Sequence, residues 1–207
     1  MQELVVGGLT VSEDDRGRLH FWGEVFNLGD VTQRWVSVTI RLLSEKGEPL
    51  AGLSDIAGLE WTLPGARNPF HIRFLDPPRG WHSFDIRLGG QPHDYGDPNV
   101  PQPYVGLDVD RIHYREINRA DLYCSLIGLL SNLGLGYATH VKVAGTLYNA
   151  EAKVIGVLSP YLVPRGAFAP GSAMPFELKY YVLGGEVANY SVQAQGRALR
   201  EGLQGSV

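Results

Sequence analysis

The feature that most constrains this chain is a repeat of itself. Shifted by 105 residues, Asn27-Leu28-Gly29 falls on Asn132-Leu133-Gly134, and without a gap Val36, Val38 and Leu42 fall on Val141, Val143 and Leu147. One extra residue later, at a shift of 106, Pro64-Gly65 falls on Pro170-Gly171 and Pro69-Phe70 on Pro175-Phe176. Ile72 and Phe74 then meet Leu178 and Tyr180. A period this long exceeds any solenoid unit and matches the size of one independent domain. The 207 residues are therefore expected to hold two copies of one fold.

Each copy is written in strands. Val36, Val38, Ile40 and Leu42 alternate with Ser37, Thr39 and Arg41, and Val141, Val143 and Leu147 alternate in the same way with polar or small residues. Phe70-His71-Ile72-Arg73-Phe74 and Phe176-Glu177-Leu178-Lys179-Tyr180 alternate cleanly. Period two puts one set of side chains on a core face and the other toward water, the signature of half-buried antiparallel sheets. The aromatics Phe70, Phe74, Phe176 and Tyr180 are thus expected to point inward. Turns punctuate the runs: Ser44-Glu45-Lys46-Gly47 in the first copy, an Asn149-led turn in the second, and a Pro-Gly pair before the Phe strand in both. The 26 glycines and 13 prolines are spread along the whole chain, which suits many short strands better than a few long helices. The reading is all-β, two tandem immunoglobulin-like antiparallel β-sandwiches. Repeat 1 is assigned to 1–90, a Pro/Gly-rich linker to 91–103, repeat 2 to 104–196, and a flexible C-terminal tail to 197–207. Each half is expected to fold without the other.

The second copy carries the phrase Val141-Lys142-Val143-Ala144-Gly145-Thr146-Leu147-Tyr148-Asn149-Ala150, followed by Lys153-Val154-Ile155-Gly156 and Pro170-Gly171 leading into Pro175-Phe176. It resembles the FxLyD domain family, small immunoglobulin-like repeats of bacterial and archaeal envelope proteins. The first copy keeps Gly23-Glu24-Val25-Phe26-Asn27, Val36, Val38, Pro64-Gly65 and Phe70, but has Leu43-Ser44 where the family has Tyr-Asp. The second has Asn149 in place of Asp and Ala152 in place of Gly. The resemblance implies an extracytoplasmic accessory, spacer or binding domain, and it carries no catalytic residue to transfer.

Composition removes several function classes. The net charge is -4, with twelve acidic and nine basic residues in 1–90 and ten and nine in 91–207. No basic block exists to displace counterions, so no nucleic-acid partner is expected. No run of 18 apolar residues is present, so no membrane-spanning segment is expected. Cys124 is the only cysteine, which excludes an intramolecular disulfide, and it reads as a buried thiol in a strand. No signal peptide is visible at Met1. An extracytoplasmic or cell-surface location is expected, with an export signal outside this sequence, although a lone cysteine fits the cytoplasm equally.

The search for chemistry yields no catalytic, cofactor-binding or metal residues. There is no phosphate loop, no Gly-x-Ser-x-Gly elbow and no His-Glu-x-x-His. His93-Asp94-Tyr95-Gly96-Asp97 is the most ligand-like cluster and reads as a polar turn. Asp108-Val109-Asp110 puts two carboxylates on one strand face and reads as edge-strand charge. All four tryptophans, Trp22, Trp35, Trp61 and Trp81, lie in the first copy. The expected function is a non-catalytic accessory, spacer or protein-interaction module of a cell-envelope or exported system, with a protein partner or envelope component. The tryptophans are read first as core or domain-interface packing; the alternative function is a carbohydrate-binding module, which would need Trp61, Trp81, Tyr95 and Tyr104 exposed as an aromatic platform.

Overall fold

The alternating runs form strands throughout. The computed structural model describes residues 3–118, 123–163, 166–182 and 185–199. Among them are fourteen strands and no helix, and every described strand pairing whose register is resolved is antiparallel. The chain is all-β, with the facing antiparallel sheets of a β-sandwich. No helix among the described residues is long and apolar enough to cross a membrane.

In the first copy, β1 (Leu4–Glu13), β2 (Leu19–Asn27) and β6 (Arg67–Phe74) make one sheet in the order β1-β2-β6. β3 (Gln33–Ser44) centres the other, with β4 (Pro49–Ile56) and β5 (Trp61–Thr62) against it and β7 (Trp81–Pro92) also paired to it. Phe21 and Val25 from β2 meet Val36, Val38, Ile40 and Leu42 from β3, and Phe70, Ile72 and Phe74 from β6 complete this core. In the second copy, β8 (Leu107–Asn118), β9 (Tyr123–Asn132) and β13 (Ala173–Tyr181) make the sheet β13-β9-β8. β10 (Ala138–Tyr148) joins β11 (Val154–Leu158), β12 (Tyr161–Val163) and β14 (Asn189–Ala198). Phe176, Leu178 and Tyr180 are buried, as the alternation predicts, and Cys124 is a buried free thiol in β9.

The repeat is carried down to single atoms. Leu4 pairs with Asn27 as Leu107 pairs with Asn132, and the register of both pairings breaks at the same place, between Gly7 and Thr10 and between Asp110 and His113. Asn27 donates through Nδ2 to the Val31 and Thr62 carbonyls and accepts from the Gly29 amide; Asn132 does the same with Gly136, Phe168 and Gly134. Trp35 and His140, 105 residues apart, both take positive φ, 50° and 49°. For Trp35 this coincides with a register shift in the β3–β7 ladder, so a bulge accounts for it. Gly23 has no side chain because the Phe70 ring lies over it: a Cβ there would come within 2.7 Å of the ring, and Gly128 under Phe176 is matched at 2.6 Å.

The β3–β4 turn and its counterpart between β10 and β11 are built alike from different residues. Ser44 Oγ accepts from the Lys46 and Glu48 amides, and Asn149 Oδ1 accepts from those of Glu151 and Lys153. Gly47 supplies φ 79°, and Ala152 takes φ 58° in its place. A side-chain oxygen at the first position builds the same turn from either residue.

Several strand limits differ from expectation. β7 continues through Pro92 because Gln33 and Arg34 keep pairing with Pro92 and Gln91. β14 continues through Ala198, and Pro103 bridges Arg197. Residues 200–207, expected as a tail, lie outside the described residues.

The chain divides into two compact units. Unit 1 comprises Met1–His93, Thr146–Val157 and Val182–Tyr190; unit 2 comprises Asp94–Gly145, Leu158–Tyr181 and Ser191–Val207. Within unit 1, Tyr148 and Val154 pack on Trp22, covering the outer face of β2.

Candidate functional site

The unusual chemistry of unit 1 sits on the outer face of the β1-β2-β6 sheet. Period two sends Phe21 and Val25 to the core and His20, Trp22 and Glu24 to the opposite side, yet all three of the latter are buried. Trp22 pairs across the ladder with His71 and His20 with Arg73. The rings of His20, Trp22 and His71 stack on one another at about 5 Å, nearly parallel.

A hydrogen-bond chain runs through this stack. Arg18 Nε donates to Asp14 Oδ2 at 2.5 Å, His20 Nε2 lies 3.2 Å from the same oxygen, and His20 Nδ1 lies 3.0 Å from His71 Nε2. The Arg18 guanidinium holds the Asp14 carboxyl well below the usual carboxylate range. An ionised Asp14 only accepts, so His20 donates to it through Nε2. Neutral His20 then accepts at Nδ1, and His71 donates through its own Nε2. Burial lowers the pKa of His20 and pushes that of His71 down to about 4.

A second buried acid lies on the same face. Tyr148 Oη donates to Glu24 Oε1 at 2.8 Å, and Arg67 approaches Oε2 at 3.7 Å. Burial pushes the Glu24 carboxyl above its usual range. This contact ties the 146–157 segment to β2.

A surface opening of unit 1 lies beside these groups, at the sandwich edge. A cleft of about 340 Å³ is lined by Leu53, Ser54 and Asp55 of β4 and by His71, Ile72, Arg73 and Leu75 on and after β6. Leu53 pairs with Ile40 and Asp55 with Val38, so both project on the core side of their sheet. Both are nevertheless exposed, Leu53 at 39%. The facing sheet ends at β6, and among the described residues no further strand covers them. Pro69 accepts from the Gly58 amide on this side, and Asn27 bonds Ala66 on the other. Alternation therefore aims the backbone N–H and C=O of His71 and Arg73 away from β2, where they meet no partner among the described residues.

No family model matches the chain, and no curated protein matches it. Among solved structures it aligns with red sea bream transglutaminase at 10% identity and TM-score 0.31, over 93% of this chain and 29% of that one. It also aligns with a putative beta-galactosidase from Bacteroides fragilis at 12% identity and TM-score 0.27, over 90% and 33%. The chain spans about a third of the length of these structures.

The aromatic platform expected from the sequence does not assemble. Trp61 is buried, 1% exposed, and its Nε1 donates to His93 Nδ1 at 3.3 Å. Trp81 is half-buried against the first core, and Tyr104 spends its hydroxyl on Asn132 and the Gly136 carbonyl. Tyr95 alone is largely exposed. Trp61 follows the core-packing reading of the tryptophans, because β5 pairs with β3 and the ring is buried. In the His93–Asp97 cluster, His93 is buried, while Asp94 and Asp97 cap the amides of Gly96 and Asn99. No group of three or more His, Cys, Asp or Glu side chains among the described residues could hold a metal ion. Asp108 and Asp110 are exposed on β8, with Asp110 near Arg111.

Sequence reasoning missed the Asp14–His20–His71 chain. His20 and His71 are 51 residues apart, and only the strand register brings them together. One signal was available: β2 reads as a strand with Trp22 on its outer positions between His20 and Glu24, an odd choice for a face left open to water.

Proposed function

We propose that this chain is a non-catalytic accessory module of a cell-envelope or exported assembly, built of two immunoglobulin-like sandwiches in tandem. In this reading it holds a partner protein by taking up an extended segment of it at the free edge of β6. The observation that carries the reading is the cleft at that edge. Unpaired backbone donors and acceptors at strand spacing are what an added strand recognises, and flanking pockets read its alternate side chains. The uncovered Leu53 and Leu75 supply apolar contact for those side chains. Arg73 and Asp55, polar and exposed at the same edge, guard it against indiscriminate pairing. The buried polar groups support a non-catalytic role. His20 and His71 are stacked with Trp22, and Glu24 is sealed beneath Tyr148.

The test is selection from a displayed library of extended peptides, run in parallel on the wild type and on the L53D/L75D double variant. Leu75 is 63% and Leu53 39% exposed, and a thermal melt of the variant beside its binding separates loss of the site from loss of the fold. The reading expects sequences with alternating apolar residues that bind the wild type and lose at least about tenfold in affinity on the variant. Binders that ignore both substitutions would move the site elsewhere.

A further inference from the structure

Asp55 places a carboxylate on the core side of its sheet. It pairs with Val38, whose side chain is fully buried in the first core, so Asp55 projects toward the opposing sheet as Leu53 does two residues earlier. It stays exposed because among the described residues no strand lies beyond β6 to cover it. Its Oδ1 accepts from the Ile56 amide, and it makes no ion pair among the described residues. Arg73 is a second uncommitted charge at the same edge. It pairs with His20 in the β2–β6 ladder, so it projects from the outer face, and it too makes no ion pair among the described residues. Both residues line the cleft, together with Leu53, Ile72 and Leu75.

Resting on the reading of the β6 edge as the seat of an extended partner segment, we infer that this segment carries a lysine or arginine at its inward position opposite Ile72. A strand added to β6 bonds the backbone of His71 and Arg73, and alternation sends the residue between those contacts inward, on the face of Ile72. Leu53, Asp55 and Ile72 share the cleft, so that inward side chain meets all three. Docking of the segment takes the Asp55 carboxylate out of water. An apolar side chain there would leave it desolvated and unpaired, which opposes binding. A long basic side chain removes that penalty: its methylenes lie on Leu53 and Ile72, and its charged end reaches Asp55. Arg73 sets the register. The residue opposite it projects from the outer face beside its guanidinium, where a second cation is disfavoured and an acid is favoured. The basic residue is thereby confined to the inward place, with apolar residues two positions before and after it.

The test extends the peptide selection to D55K and D55N. Asp55 is exposed and its side chain bonds only the neighbouring amide, and thermal melts of both variants check that the fold is kept. The wild type is expected to select extended peptides with Lys or Arg at one position and apolar residues two places away on either side. D55K is expected to select Asp or Glu at that position. A lysine peptide from the wild-type selection should bind D55K about tenfold more weakly, and exchange of its lysine for glutamate should restore affinity for D55K. D55N removes the attraction without adding repulsion, so its affinity should fall between the two. Salt should weaken binding of the lysine peptide to the wild type. Peptides that lose affinity on L53D/L75D yet share no basic residue, or that bind D55K as they bind the wild type, would overturn the charge rule and leave the edge as the docking site. Peptides indifferent to L53D/L75D as well would overturn both.

Discussion

At the scale of single residues, the two copies are anchored by one ring each. Phe176 is buried, lies over Gly128 and opens the inward set Phe176-Leu178-Tyr180; Phe70 does the same over Gly23. Truncating such a ring removes its burial and leaves a cavity, at a cost of about 3–5 kcal/mol, out of the roughly 5–15 kcal/mol that holds a domain together. F176A and F70A should each lower the denaturation midpoint by that amount, whereas E177A, on the exposed side of the same strand, should change it by less than about 0.5 kcal/mol. Chemical denaturation of the three variants checks this, and wild-type midpoints for F70A and F176A would mean these strands face outward.

His71 makes a second residue-scale prediction. Its folded pKa of about 4 lies below the ordinary 6.5. The unfolded chain therefore takes up a proton between those values and the folded chain does not. The stability tied to neutral His71 is complete above about pH 6.5 and declines as pH falls toward 4, by at most about 1.4 kcal/mol per pH unit. Glu24, raised by burial, works in the opposite sense, losing its contribution as pH climbs past the normal carboxylate range. The difference between wild type and H71Q isolates the histidine: thermal melts from pH 7.5 to 4 should converge as pH falls. A constant gap would remove His71 from the account.

At the scale of elements, the hairpin formed by the end of β10 and the start of β11 stands out. It belongs to unit 1, where Tyr148 and Val154 cover Trp22 and Tyr148 satisfies Glu24. Residues 1–93 produced alone would open Trp22 to water and leave Glu24 without its donor, which typically costs 1–3 kcal/mol for the lost bond alone. The fragment should melt below the intact chain and show a more red-shifted tryptophan emission. An equal midpoint would mean that the first repeat stands without the hairpin. The strands themselves were legible in the sequence because period-two alternation and a constant offset are local signals. Phe70-Ile72-Phe74 and Phe176-Leu178-Tyr180 point where alternation sends them. The turns were legible too, since Ser44 and Asn149 have the side-chain oxygens that build them. The outer face of β2 was not: whether His20, Trp22 and Glu24 meet water or protein depends on residues 146–157, more than a hundred positions away. For the same reason Trp61, beside a turn in the sequence, gave no local sign of its burial by strand pairing.

At the scale of the whole molecule, the two copies of the repeat differ in their polar and exposed features. The first carries the buried histidine chain and the uncovered β4–β6 edge; the second has Leu135, fully exposed, where the first has Asp30. Neither difference lies inside the sandwich core, where both copies place apolar side chains at matching strand positions, although Leu126 stands for Phe21 and Gly145, beside Tyr180, for Ile40. The central claim is that the β6 edge receives an extended segment of a partner, and amide hydrogen exchange tests it most directly. The amides of His71 and Arg73 should exchange rapidly in the free protein, because they face the cleft without partners. On addition of a peptide selected for binding, these two amides should become protected while those of Phe70 and Ile72, already bonded to β2, change little. Protection that appears at any other strand while His71 and Arg73 stay fast would contradict the account.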